Sequence, residues 1–399
     1  MKKGVWGAVG LMFICSQGFA QSSLNLYGVV DMALRHETNG VDYAANGRPT
    51  ATGRKISIAN GGGLTESYWG LSGTENIGNG NQISFRLESR FNPGSGNTLP
   101  AGSKNFFQLS WVAFQSPTLG RLSLGRQYNA AFLGTTLAYG SNMWAAGEGA
   151  IGQDPYTNLF KPEQTLLGGA RTSNLIQYGA KIEDLIVLAQ YAPGGRPGGG
   201  GAGSQMGASI AYVPTKGAMK IGASFVRTRD DLNNAKLDIY TGGGSVHIGK
   251  LSINAGYFEN SRDNNFTQFG NGPFGPMDLA GLGIISNSQI FNSATPGGFD
   301  RRKMYLAGLT YHASPVFTVA INGWWTKQTG YISDFNGFAR QYQIITGYSL
   351  SRRSMLYAEA DYAKYSGGLV GAQLVGVNGQ SPTISSSQVG FMMGLRHYF

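Results

Sequence analysis

The chain has 399 residues, 31 Lys and Arg against 21 Asp and Glu for a formal charge of +10, and 62 glycines, yet only 13% of its residues are charged. An average soluble domain carries about 25% charged residues. Glycine shows no period of three, which excludes a collagen-like chain, and the wealth of Tyr, Phe, Leu and Ile excludes a disordered one.

The N-terminus places Lys2 and Lys3 before an apolar run from Val5 to Cys15, followed by Gly18-Phe19-Ala20 before Gln21. This reads as a secretory signal peptide over 1–20, with an apolar stretch too short to span a bilayer. Lipidation at Cys15 is disfavoured by bulky Phe13 and Ile14, where that processing needs small residues. Cys15 is the single cysteine, so 21–399 would be stable without disulfides. No later window holds the roughly 18 apolar residues of a transmembrane helix, so any crossing of a membrane would need strands.

Period-two segments then recur along the chain. Leu24, Leu26, Gly28, Val30, Met32 and Leu34 share one face, and Ile83, Phe85 and Leu87 do the same. Phe107, Leu109, Trp111 and Ala113 read as the apolar face of the next strand, and Leu122 and Leu124 follow the turn at 116–120. Later sets are Leu251 to Tyr257, Phe317 to Trp325, Tyr342 to Leu350 and Leu356 to Tyr362. About sixteen strands result, an even number that suits a closed antiparallel barrel. Short turns (78–80, 116–120, 314–315, 351–353) alternate with long polar connections, the longest over 128–171 and 262–301, with a glycine-rich one near 193–204. No linker divides 21–399, which reads as one domain. Alternation by itself fits both a soluble β-sandwich and a membrane barrel, since each has one apolar and one polar face. Strand number, loop asymmetry and aromatic residues at strand ends favour the barrel.

Several strings carry a resemblance: SSLNLYGVVD at 22–31, WGLSGTENIGNG at 69–80, FRLESRFN at 85–92, LSLGRQ at 122–127 and GLRHYF at 394–399. In this order they resemble the Gram-negative general porins, specifically the trimeric, 16-stranded porins of the neisserial and Burkholderia type. The resemblance implies an all-β, 16-stranded transmembrane barrel of the outer membrane with an inward-folded constriction loop. Loop 128–171 is the candidate, with Trp144, Glu148, Asp154 and Glu163. Facing it, strand parity nominates Arg35, Arg86 and Arg90, and Arg171 stands where relatives have an arginine entering the sixth strand. Two wall positions that carry arginine in many relatives are Tyr68 and Gln108 here, which weakens the expected anion preference. The resemblance also implies a homotrimer, with 92–104 a candidate latch, contact with outer-membrane lipid and lipopolysaccharide, and Phe399 as the signal read by the outer-membrane assembly machinery.

No other chemistry stands out. His36, His247, His312 and His397 are isolated, so no metal cluster of familiar spacing exists. The glycines at 194–201 lack the Lys-Ser/Thr of a phosphate loop. Asp230 and Asp231 are too few for a calcium site, and Lys and Arg form no nucleic-acid stripe. The further acidic lumen candidates are Asp31, Glu88, Glu359 and Asp361. The expected function is passive diffusion of small hydrophilic solutes with weak anion preference, with no catalysis and no cofactor. Two alternatives stay open. One is a substrate-specific channel in which Tyr68, Tyr128, Trp144 or Tyr156 stack on organic acids, aromatic compounds or sugars. The other is a secreted, glycan-binding β-sandwich.

Overall fold

The computed structural model describes residues 23–43, 49–58, 63–98, 106–138, 170–195, 197–198, 201–271, 286–370 and 386–399. The signal peptide, Lys104 of the candidate latch, and Trp144, Glu148, Asp154, Tyr156 and Glu163 of the candidate constriction loop lie outside these residues. The strands are β1 (Ser23–Tyr43), β2 (Pro49–Ile58), β3 (Tyr68–Gly78), β4 (Asn81–Arg90), β5 (Leu109–Ser116), β6 (Gly120–Tyr128), β7 (Arg171–Ile182), β8 (Leu185–Ala192) and β9 (Gln205–Tyr212). They continue as β10 (Met219–Arg229), β11 (Lys236–Ile248), β12 (Leu251–Arg262), β13 (Phe299–His312), β14 (Phe317–Gly330), β15 (Gly337–Ser349), β16 (Ser354–Gly367) and β17 (Ser387–Tyr398). Two α-helices are described, α1 (Ala130–Ala138) after β6 and α2 (Asn287–Phe291) before β13.

Every ladder is antiparallel, and from β3 to β17 each strand pairs with the next. β17 then pairs with β1, from Val29↔Tyr398 to Glu37↔Gly390, so the sheet closes on itself. The first strand pairs with β3 over Ser23–Val29 and with β2 over Leu34–Tyr43. β2 and β3 are therefore two pieces of one wall position, and the seventeen segments make a barrel of sixteen. Closure replaces the β-sandwich alternative, because a sandwich has two sheets with edges and this wall has none to spare. The short connections and both ends of the wall fall at one rim. At that rim the turn 78–80 uses positive φ at Gly78, Asn79 and Gly80, which glycine and asparagine tolerate at little cost.

Side-chain parity points the apolar set outward. Leu24, Leu26, Met32 and Leu34 are exposed on β1, while Asp31, Ala33 and Arg35 on the opposite parity are buried inside. The segment 107–113 departs from this reading. Leu109 and Ala113 are buried on the inner face, and Val112 is the exposed outer residue. The inner wall is covered there, with Arg121 lying 4.4 Å over the ring of inward Trp111, so apolar residues occur on both faces. Farther round, Val226, Ile239, Phe258, Met304, Leu306 and Trp324 form an apolar patch inside the barrel.

Helix α1 rests on that patch. Asn129 caps it, its side chain accepting from the Phe132 amide at 3.0 Å, a usual task for asparagine at a helix start. Ala130, Ala131, Phe132 and Ala138 pack into the inner cluster. The Ala130 amide donates to Gln190 at 2.6 Å, and the Ser245 hydroxyl donates to the Ala138 carbonyl at 2.8 Å. Gly134 sits against Ser209 and Ser224, where a Cβ would collide. The start of the 128–171 connection thus lies within the barrel.

The closing seam has its own construction. Arg35 on β1 reaches Asp361 on β16 through two bonds, Nη1 to Oδ2 at 2.7 Å and Nη2 to Oδ1 at 3.2 Å, and both side chains are fully buried. The pair crosses β17 over Gly390, where a Cβ would strike both partners. Tyr357 on β16 reaches Asp31 on β1 in the same way, with Gly394 beneath its hydroxyl. Inward glycines on the last strand let its two neighbours meet above it.

Candidate functional site: the lumen between β1, β3, β4 and α1

Arg86, Glu88 and Arg90 alternate along β4 and so share its inner face. Register sets Tyr68 of β3 opposite Arg90 and Ser72 opposite Arg86. From β1, the Tyr27 hydroxyl accepts from Arg86 Nε at 2.5 Å, and its ring lies under the guanidinium at 4.9 Å. Arg86 Nη2 also bonds Glu88 at 2.6 Å, and Arg90 pairs with Glu66. Tyr27, Tyr68, Arg86, Glu88, Arg90 and Glu66 together border a cavity of about 650 Å³, which Tyr128, Phe132, Leu133 and Thr136 close from the side of α1.

Tyr128 is sandwiched. Phe132 stacks on it at 4.3 Å with planes 10° apart. The Arg171 guanidinium lies 4.4 Å from its centroid and donates to its hydroxyl at 2.7 Å. Close by, Arg126 donates to Ser173 at 2.9 Å and to Gln108 at 3.5 Å. Among the described residues, neither Arg126 nor Arg171 has a carboxylate within ion-pair distance, and the Nε of each is buried without a partner.

The structure therefore brings Tyr68, Arg86 and Arg90 to one cavity and sets Arg171 behind Tyr128 at its edge. Gln108 is buried beside Arg126, and its backbone amide donates to Glu88. Arg35 is sealed in the seam against Asp361 and Glu37, so its charge is not offered to the lumen. Of the acidic candidates, Glu88 borders the cavity and Glu359 accepts from Gln343 at 2.8 Å. Three neighbours went unrecognised in the sequence. Tyr27 lies on the polar side of the first alternating run and could have been found from parity. Arg126 sits inside the LSLGRQ string. Glu66 falls between two runs and carries no periodic signal.

A closed, sixteen-position barrel with an apolar outside and a charged, aromatic-lined interior defines an outer-membrane channel. The comparisons with known proteins agree. The family model for Gram-negative porins matches residues 7–368, and the chain belongs to that family. It is 26% identical over 397 residues to an outer membrane porin of Bordetella pertussis, spanning 91% of this chain and 94% of that one. An outer membrane porin of Delftia acidovorans is 24% identical over the full length of both. Among solved structures, the anion-selective porin from Comamonas acidovorans superposes with a TM-score of 0.65 at 20% identity, over 95% of this chain and all of that one. The trimer form of OmpT from Vibrio cholerae gives 0.58 at 13% identity, over 95% and 99% of the two chains.

Proposed function

We propose that this porin is a passive, water-filled pore for small hydrophilic solutes with a weak anion preference, performing no catalytic step. The observation that carries the preference is the charge balance along the passage. Arg86 and Arg90 each stand against a carboxylate, whereas Arg171 adds cationic charge beside Tyr128 with no described carboxylate within ion-pair distance. An excess of one sign across a narrow wet gap raises the local concentration of the opposite ion. A unit charge about 8 Å from a permeating ion is worth about 0.5 kcal/mol in water, or about twofold in occupancy. The wild-type reversal potential in a salt gradient will therefore report anions as preferred. Arg171→Gln will lower the anion-to-cation permeability ratio by about fourfold, twofold from each ion. A cation-preferring wild type would overturn the assignment.

The aromatic residues around the cavity favour a second reading, a channel with a preferred solute. Ohmic conductance unaffected by added organic acids or sugars supports the general pore, and saturable block at low solute concentration supports the specific one. A homotrimer in contact with lipid and lipopolysaccharide, and delivery by the assembly machinery through Phe399, belong to the same proposal. The trimer form of the Vibrio cholerae neighbour supports the first of these. A signal peptide over 1–20 preceding a barrel over 21–399 accounts for export.

A further inference from the structure

Between β2 and β3 the chain leaves the wall, and residues 63–67 run along the inside of the barrel. The fully buried Asp31 carboxylate gathers the amides of Gly63 at 3.1 Å, Leu64 at 3.0 Å and Thr65 at 2.8 Å, together with the Tyr357 hydroxyl. Ser67 closes the same turn, its Oγ accepting from the Asp31 amide at 2.9 Å and donating to the Asp31 carbonyl at 3.1 Å. Arg396 donates to the Thr65 hydroxyl at 3.0 Å. Leu64 packs among inward-facing Ala33, Ile345, Tyr357 and Met392, and Gly63 has no room for a Cβ beside Tyr357. At its far end Glu66 pairs with Arg90 on β4. The segment thus crosses the inner wall from the closing seam to β4. Its Thr65 and Glu66 border the same cavity as Phe132, Leu133 and Thr136 of the 128–171 connection.

We propose that residues 63–67 are a second constriction element, an inner strap facing α1 across the passage. In this assignment Glu66 is a selectivity-determining residue whose carboxylate damps the anion preference of the wall, and Asp31 is a positioning residue that fixes how far the strap projects. The backbone geometry supports this, because a carboxylate collecting three consecutive amides holds a peptide segment at one height. The proposal rests on the channel reading.

The chain's single cysteine, Cys15, allows a clean labelling test. Thr65→Cys on a Cys15→Ser background is treated in planar bilayers with water-soluble methanethiosulfonates of either charge. The expected result is a stepwise fall in single-channel conductance, with the cationic reagent raising anion preference and the anionic reagent lowering it. Absence of labelling by mass, or full labelling with unchanged current, overturns the strap. Glu66→Gln is expected to raise the anion-to-cation permeability ratio about fourfold, and an unchanged ratio overturns its role. Asp31→Asn is expected to raise conductance and current noise in a folded barrel, and wild-type conductance there overturns the positioning role. Should Asp31→Asn fail to fold, Thr65→Cys and Glu66→Gln still decide. A wild-type protein that does not conduct would overturn the channel reading itself, which keeps the two failures apart.

Discussion

Arg35→Ala will destabilise the folded barrel by about 3–5 kcal/mol, the usual cost of leaving one member of a buried ion pair behind. Two guanidinium bonds reach Asp361 and both side chains are fully buried, so water does not replace the lost partner. Arg301→Ala is the control. Its contact with Glu259 is 3.4 Å long and the arginine side chain is 47% exposed, so the loss should stay below about 1 kcal/mol. Denaturant unfolding in detergent, followed by tryptophan fluorescence, measures both. Two variants of equal stability would show that the pair contributes nothing to the seam. Replacing Arg35 and Asp361 together by methionine should cost less than Arg35→Ala alone, because the fully buried Asp361 carboxylate is then not stranded and only the partly exposed Glu37 loses its partner.

Removal of Phe399 will separate its observed place in the seam from the delivery role proposed for it. Its amide and carbonyl exchange bonds with Gly28 at 3.1 and 3.2 Å, and its ring covers the Cα of that glycine. A refolded barrel lacking Phe399 therefore loses two hydrogen bonds, about 1–3 kcal/mol in all, and still closes through the nine register pairs of β1 and β17. In cells the same deletion will nearly abolish heat-modifiable protein in the outer membrane, if the residue is also read during delivery. Equal losses in vitro and in cells would leave Phe399 as a seam residue alone.

The wall was legible in the sequence because a membrane barrel writes its outer face in a period of two. Leu24 to Leu34, Ile83 to Leu87 and Phe391 to Leu395 all fall where parity places them. The rule failed at Leu109 and Ala113, where packing inside the barrel removes the polar half of the pattern. It was silent about residues 63–67, which belong to no strand and whose partners Asp31, Tyr357 and Arg396 are remote in sequence. Arg86, Arg90 and Tyr68 could be set on one inner face from parity. That Arg35 is sealed could not, because its partner Asp361 is 326 positions away and the room between them exists only through Gly390.

The seam also bears on the order of events. Arg35 and Asp361 belong to the first strand and the last but one, and they meet only above a β17 already in register with both. The Asp31–Tyr357 contact obeys the same condition over Gly394. Neither lock can form early, so neither speeds closure, and both must break before the first and last strands can part. Interactions that arrive after the rate-limiting step act on the unfolding rate. The glycines of the terminal strand therefore govern how long the finished barrel lasts, a matter of lifetime more than of equilibrium.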